Sequence, residues 1–141
     1  MVRRAQSAAP QVFAFRLDLQ SGVPVYRQLI DQVLASIATG LLKSCDRLPT
    51  VRQVAVDLAI NPNTVVRAYK ELEIRNVLTT QQGTGTFIAE GPVSRDEVEH
   101  RRRLQQLVGE MVARAGAEGY SLKELMEVLK EMPSEGPKPR R

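Results

Sequence analysis

The sequence contains no tryptophan, one cysteine and one histidine in 141 residues, and only 4% of it is aromatic. A single cysteine excludes an internal disulfide and is typical of proteins in a reducing cytosol. No apolar run approaches the roughly 20 residues that a membrane-spanning helix requires. The opening residues, MVRRAQSAAPQ, lack the apolar segment of a secretory signal. These absences predict a cytoplasmic protein without a membrane partner.

Residues that commonly carry catalysis or bind metals show no spacing along the chain that predicts a site. Cys45 and His100 each stand alone, without a second residue at metal-ligand spacing, and no paired-carboxylate site is visible. We expect Cys45 to be a partly buried structural thiol. The glycine-rich segment 83–87 (GTGTF) matches neither the P-loop nor the dinucleotide-binding pattern. The sequence therefore predicts no catalytic site, no metal site and no cofactor.

What the sequence does contain is a series of short amphipathic segments separated by turn residues. Apolar residues at helical spacing predict a helix over 25–39. A second helix, over 50–58, begins with a threonine N-cap, and a third, over 62–75, begins with Asn61 as N-cap followed by proline. Because only a short turn joins the second and third helices, the pattern indicates a helix-turn-helix over about 50–75.

Strand-forming residues follow the third helix. Segments 76–81 and 86–89 favour β structure and flank a glycine-containing turn, which predicts a β-hairpin over 77–89 in the position of a wing. Alternating apolar residues over 13–19 predict a short strand or an extended arm, and residues 47–48 a short extended piece. The fold class predicted is mainly α with one small hairpin.

The face of the third helix opposite its apolar stripe carries polar and basic side chains. Asn63 is suited to pair with adenine through its amide, and the methyl group of Thr64 to pack on a thymine methyl. Arg67 and Lys70 suit bases or phosphates, the alternative for each being a solvated surface charge. The first N–H groups of this helix could bind a phosphate, and the net charge of +4 is compatible with a polyanionic partner.

Several separated motifs, in the same order along the chain, resemble the winged helix-turn-helix of the GntR family of bacterial transcription regulators. They are Pro24-Val25-Tyr26-Arg27-Gln28-Leu29, Arg47-Leu48-Pro49-Thr50-Val51-Arg52, Ala55, Leu58-Ala59, Asn61-Pro62-Asn63-Thr64-Val65, Arg67-Ala68-Tyr69, Glu71-Leu72-Glu73 and Gly83-Thr84-Gly85-Thr86-Phe87. The Asn-Pro-Asn-Thr start of the third helix resembles the YtrA-like subfamily in particular. Other branches have Ser-Arg-Thr-Thr-like residues there, so their base preferences do not transfer to this chain.

The resemblance implies roles for residues around the third helix. Arg47 and Arg52 match basic positions of the family before and within the second helix. Gly83 and Thr84 would let the tip of the wing approach a minor groove or the DNA backbone closely. The predicted DNA-contacting residues are Arg47, Thr50, Arg52, Asn61, Asn63, Thr64, Arg67, Lys70, Gly83 and Thr84.

Gly91-Pro92 marks a boundary, beyond which charged and helix-forming residues dominate. Ser94 and Ser121, each with a glutamate three residues later, predict capping boxes at the starts of two helices within 92–132. The apolar stripes of these helices are too large for so short a segment to bury alone, so two copies are expected to pack together. The short C-terminal helices of the resembling subfamily likewise serve for dimerisation. The predicted dimerisation residues are Leu104, Leu107, Val108, Met111, Val112, Leu122, Leu125, Met126 and Leu129.

These patterns divide the chain into a flexible arm (1–14), a winged helix-turn-helix domain (15–91), a dimerisation segment (92–132) and a disordered basic tail (133–141). The function expected is that of a homodimeric repressor that binds a palindromic double-stranded DNA operator, with half-sites about one helical turn apart. The resemblance implies control of a transporter operon. If a small-molecule effector exists, the sequence does not identify it. The alternative is a protein–protein adaptor that uses the winged-helix scaffold without specific DNA binding.

Overall fold

The computed structural model describes residues 13–91 and 96–133, and the chain divides at Gly91 into two compact units. Their elements are α1 (Val25–Ala38), α2 (Val51–Leu58), α3 (Pro62–Ile74), β1 (Leu78–Gln81) and β2 (Gly85–Ile88) in the first unit, and α4 (Glu97–Ala117) and α5 (Leu122–Glu131) in the second. The predicted fold class, mainly α with one small hairpin, is confirmed. Helices α1 and α3 each end one residue earlier than predicted.

Side-chain caps determine where α2 and α3 begin. The Thr50 hydroxyl oxygen accepts a hydrogen bond from the Gln53 N–H at 3.1 Å, and the Gln53 amide oxygen accepts one from the Thr50 N–H at 3.1 Å. The Asn61 amide oxygen accepts a hydrogen bond from the Asn63 N–H at 2.8 Å, and Pro62 occupies the first helical position. These bonds satisfy N–H groups that would otherwise have no partner at a helix start.

The core of the first unit lies where α1 and α3 pack against each other. Leu29 and Val33 of α1 and Val65 and Leu72 of α3 are fully buried. Helix α2 packs on α3 as well, so α3 is held on two sides. Burial of large aliphatic side chains is the main source of stability here, at about 1.5–3 kcal/mol for each.

The hairpin that follows α3 has an antiparallel register in which Leu78 pairs with Ile88 and Gln81 with Gly85. The chain before α2 adds to its outer edge, because Arg47 forms a single bridge with Phe87 and the Leu48 N–H donates to the Thr86 carbonyl at 2.9 Å. The extended piece predicted at residues 47–48 is therefore present, and it joins the hairpin to the start of α2.

Residues 13–18 form neither helix nor strand and a turn follows at 19–20, so the strand predicted as one of two alternatives over 13–19 is absent. The backbone of this segment is bound by two side chains of α1. The Gln28 amide accepts from the Asp18 N–H at 2.9 Å and donates to the Asp18 carbonyl at 3.0 Å. The Gln32 amide likewise accepts from the Arg16 N–H and donates to the Arg16 carbonyl. These two amides take the backbone partners that a neighbouring strand would otherwise provide.

Phe13 belongs to the folded unit, although it was placed in the flexible arm of residues 1–14. It is half-buried against the core, and its ring meets that of Phe15 edge-to-face with centroids 4.8 Å apart. Such aromatic pairs are favourable beyond the area they bury. Residues 1–12 of the predicted arm lie outside the described residues, as do residues 134–141 of the predicted tail.

The second unit is a pair of packed helices. Helix α4 is capped by Asp96, whose carboxylate accepts from the Val98 N–H at 3.0 Å, and Ser94 of the predicted capping box lies outside the described residues. The second predicted capping box is present, with the Ser121 hydroxyl accepting from the Glu124 N–H at 3.1 Å. The hydrogen bonds that Ser121 donates lower the pKa of the Glu124 carboxyl. No described helix is both long enough and apolar enough to cross a bilayer.

The helical pair buries little of its apolar surface. Ala115 is the buried hydrophobic residue that the described part of this unit contributes, while Val112 and Leu125 are half-buried. The exposed large apolar side chains are Val98, Leu104, Leu107, Val108, Met111, Tyr120, Leu122, Met126, Val128, Leu129 and Met132. Exposed apolar surface on this scale is typical of protein–protein interaction sites.

Candidate nucleic-acid interface

The outer face of α3 is polar and accessible. Asn63, Arg67 and Lys70 are exposed on the side opposite the buried Val65 and Leu72. These three residues are spaced three or four positions apart, so they lie along one line of the helix. We call them the reading face. Their amide, guanidinium and ammonium groups are the donors and acceptors that bind base edges and phosphates.

Two other predicted contact residues, Asn61 and Thr64, lie at the start of α3, and a third, Thr50, lies at the start of α2. The Asn61 amide oxygen caps the helix through the Asn63 N–H, and Thr64 is half-buried. The Thr50 hydroxyl is occupied in the same way by the capping box of α2. Thr50 and Asn61 therefore have a structural function that is independent of any contact with DNA.

A partly buried hydrogen bond links α3 to Pro49, the residue before the N-cap of α2. The Tyr69 hydroxyl donates to the Pro49 carbonyl at 2.6 Å, and Tyr69 is only 6% exposed. Burial raises the pKa of the Tyr69 phenol far above its ordinary value, because the ionised form would lose its hydration. The bond therefore holds the start of α2 in a defined position relative to α3, the helix that carries the reading face. Arg52, in the first turn of α2, is exposed.

Arg47 lies against the tip of the wing, the hairpin formed by β1 and β2. A Cβ atom added at Gly85 would lie 2.9 Å from the Arg47 Nε and 3.3 Å from one terminal nitrogen. Gly85 also has φ +137°, a conformation that favours glycine. The guanidinium of Arg47 thus lies against Gly85, at the start of β2, whereas a Cβ atom added at Gly83 would meet nothing within 4 Å.

Replacing Gly85 by alanine should cost about 1–3 kcal/mol in the free energy of unfolding, chiefly because the backbone conformation is unfavourable for alanine. The Arg47 side chain must also move away from the new methyl group, which adds a smaller cost. Gly83→Ala is the matched control, since Gly83 also has a positive φ, of +79°, but open space around it. It should cost about 1 kcal/mol. Denaturant unfolding measures both.

Arg47→Ala should recover part of the loss in the Gly85→Ala background by removing the collision. Equal losses for the two glycine variants, with no recovery on removing Arg47, would show that the contact between Arg47 and Gly85 has no energetic role.

Arg67 is directed towards α1. Its Cζ lies 3.8 Å from the centroid of the Tyr26 ring, in the first turn of α1. Glu71, the acidic residue one turn further along α3, pairs with Arg75 at 3.2 Å. The guanidinium of Arg67 thus lies over an aromatic ring, and the described ion pairs do not include it.

The residues predicted to contact DNA did not include three that lie at or beside this surface: Tyr26, Val66 and Gly85. Val66 is 45% exposed and lies three residues after Asn63, and that spacing was a signal that could have placed it next to the reading face. The GTG sequence contains Gly85, but no sequence pattern indicates that Arg47 packs on it. The contact between Tyr26 and Arg67 spans 41 positions of the sequence and had no sequence signal.

Cys45 is exposed, so the expectation of a partly buried thiol was wrong. Its backbone has φ 72°, and its N–H donates to the Ile88 carbonyl at 2.7 Å. This turn brings the chain alongside the end of β2, and the side chain consequently points away from the core. Cys45 thus contributes to the fold through its backbone hydrogen bond and not through its side chain.

Comparisons with known proteins agree with this geometry. A sequence profile described as "Bacterial regulatory proteins, gntR family" matches residues 25–88. The HTH-type transcriptional repressor YtrA of Bacillus subtilis (strain 168) is 33% identical over 117 residues, which cover 83% of this chain and 90% of that protein.

Two solved structures are similar in fold. One is described as a transcriptional antiterminator from Listeria monocytogenes EGD-e, with a TM-score of 0.64 and 26% identity, covering 86% of this chain and 90% of the other. The second is YtrA from Sulfolobus acidocaldarius, described as a GntR-family transcription factor, with a TM-score of 0.53 and 30% identity, covering 72% and 99%.

The matched family consists of transcription regulators and not of enzymes. Its profile covers the three helices and the wing, and the similarity to the YtrA relatives extends beyond them into the helical pair. The chain belongs to the GntR family of bacterial DNA-binding transcription regulators and is YtrA-like.

Proposed function

We propose that this regulator is a cytoplasmic, homodimeric repressor that binds a palindromic operator. The observation that carries the proposal is the pairing of two surfaces on one chain: a polar reading face on α3 and a large exposed apolar surface on the helical pair α4–α5. A dimer that presents two identical reading faces matches a two-fold symmetric DNA site. The name of the Bacillus subtilis relative, a transcriptional repressor, supports repression.

The residues proposed to contact DNA come from three places. The reading face supplies base contacts, and Val66 at its edge adds an apolar group that suits a thymine methyl. Arg52 in the first turn of α2 supplies a backbone contact, and Arg47 together with the wing tip supplies a second one. Two contacts link these places: the Tyr69 hydroxyl of α3 binds the Pro49 carbonyl just before α2, and Arg47 lies against Gly85 of the wing.

The apolar face of the helical pair is proposed as the dimer interface. Met126 and Leu129 of α5 are 48% and 49% exposed, and Leu107 and Val108 of α4 are exposed as well. Self-association buries these side chains without requiring a separate partner. The arginine run beside them is a solvated surface, because Arg102 and Arg103 both pair with Glu99 at 2.9 Å; these contacts lower the pKa of the Glu99 carboxyl.

The proposal includes control of a transporter operon, on the resemblance to the YtrA-like subfamily alone. It also includes release from DNA by a small-molecule effector, to which no residue is assigned. The position of the binding site relative to neighbouring genes tests the first. A screen for compounds that release the protein from that site tests the second.

The experiment is selection of binding sites from a randomised duplex library with the full-length protein, followed by footprinting of the enriched site. We expect enrichment of an inverted repeat whose half-sites are about one helical turn apart. Recovery of no preferred sequence at moderate salt would refute specific DNA binding. If a stable protein partner were then found on the same face, the adaptor function would replace it.

A further inference from the structure

Tyr26 and Arg67 connect the first turn of α1 to the reading face. The Arg67 Cζ lies 3.8 Å from the centroid of the Tyr26 ring. Tyr26 is half-buried and packs against the core, whereas Arg67 is exposed. The ring is therefore held by the fold, and the guanidinium rests on it from the solvent side. The exposed Arg67 side chain is in this way placed against the Tyr26 ring, which packs against the core.

The contact holds Arg67 without using the groups that bind DNA. A guanidinium that lies with its face on a ring keeps its N–H donors at its edge, where they can reach a base or a phosphate. The ion pairs among the described residues do not include Arg67, since Glu71 is engaged by Arg75. Arg67 is thus restrained in position but retains its charge and its donors.

We propose that Tyr26 is a positioning residue for DNA recognition, whose ring holds the Arg67 guanidinium in place for its contact with DNA. This inference rests on the proposed function, in which Arg67 is part of the reading face. An arginine side chain loses much rotamer freedom when it binds, and a contact already present in the free protein reduces that loss. Tyr26 acts through Arg67 and needs no contact with DNA itself.

The test measures the affinity for a duplex that the wild-type protein has selected from a randomised library. Tyr26→Leu should weaken binding by about 2- to 5-fold, the factor that an exposed cation–π contact is worth. In an Arg67→Ala background, Tyr26→Leu should have no further effect. Tyr26→Phe retains the ring and should bind as the wild type does. Arg75→Ala is the matched background, because Arg75 caps the C-terminus of the same helix and pairs with Glu71. In that background Tyr26→Leu should keep its full effect.

Two results would overturn the inference while leaving the proposed function intact. The first is an equal loss for Tyr26→Leu with and without Arg67, which would indicate a general effect on the fold. The second is a loss for Tyr26→Phe as large as for Tyr26→Leu, which would indicate a direct contact by the hydroxyl group.

Arg67→Lys tests the contact from its exposed side, where folding is not at risk. It keeps the charge but loses the planar group, so the effect of Tyr26→Leu should shrink in this background. An undiminished effect would count against the inference. If the wild-type protein selects no sequence at all, the proposed function fails and this inference fails with it.

Discussion

Changing both Met126 and Leu129 to aspartate should convert the protein to a monomer and weaken binding to its operator by about 100-fold or more. Both side chains are roughly half exposed on the apolar face of α5, at 48% and 49%. Two carboxylates in an apolar interface between copies would lose their hydration without gaining a partner. A monomer binds one half-site and loses the gain from bivalent binding, which reaches a factor of about 100 to 10,000.

Sedimentation and titration of a labelled operator duplex measure the two effects. Val128→Asp is the matched control, because Val128 is an exposed apolar residue on the same helix, 59% exposed but outside the stripe that includes Met126 and Leu129. It should leave both the oligomeric state and the affinity unchanged. Leu125 is avoided because it is half-buried within the helical pair. A dimer that tolerates both aspartates would rule out this interface.

Truncating Tyr69 to alanine should lower the free energy of unfolding by about 3–5 kcal/mol, the usual range for a buried aromatic residue. The ring of Tyr69 is buried in the core of the first unit, and its hydroxyl holds the Pro49 carbonyl. Ile74→Ala on the same helix is the control; Ile74 is 71% exposed, and its loss should change stability by less than about 0.5 kcal/mol. Similar losses for the two variants would contradict the burial of Tyr69.

Tyr69→Phe isolates the hydrogen bond from the packing. It should cost about 0.5–1.5 kcal/mol, because the partly buried Pro49 carbonyl loses its donor. The difference should also depend on pH. Burial raises the pKa of the Tyr69 phenol in the folded protein, so above a pH of about 10 the unfolded chain releases a proton that the folded chain retains, and the wild type loses stability.

The advantage of wild type over Tyr69→Phe should therefore be constant below pH of about 10 and shrink above it. Unfolding curves of the two proteins at several alkaline pH values test this, since all other titrating groups are common to both. An advantage that grows with alkaline pH would contradict the assigned burial.

Local patterns were sufficient to place the helices and the wing. The caps at Thr50 and Asn61 depend on residues within three positions along the chain, and the structure contains both. The apolar stripe of α3 predicted which side is buried, because helical spacing alone decides which residues share a face. The reading face was therefore accessible from the sequence.

The extended arm shows where local patterns fail. Its alternating apolar residues fit a strand as well as they fit an isolated extended segment. In the structure, side chains of α1 bind the backbone of this segment in place of a neighbouring strand. The Gln28 amide binds Asp18 and the Gln32 amide binds Arg16, ten and sixteen positions earlier in the chain. Periodicity describes which side chains turn inward, but it does not say which groups satisfy the backbone.

The sequence by itself determined the fold class, the positions of the helices and wing, and the polar character of one face of α3, because each depends on residues close together in the chain. Only the tertiary structure decided that Arg47 lies on Gly85, that Tyr69 holds Pro49 and that Arg67 rests on Tyr26. Pro49 and Tyr69 are 20 positions apart in the sequence, and Tyr26 and Arg67 are 41 positions apart. These contacts arise only when α1, α2, α3 and the wing pack around one core, and no spacing along the chain encodes that packing.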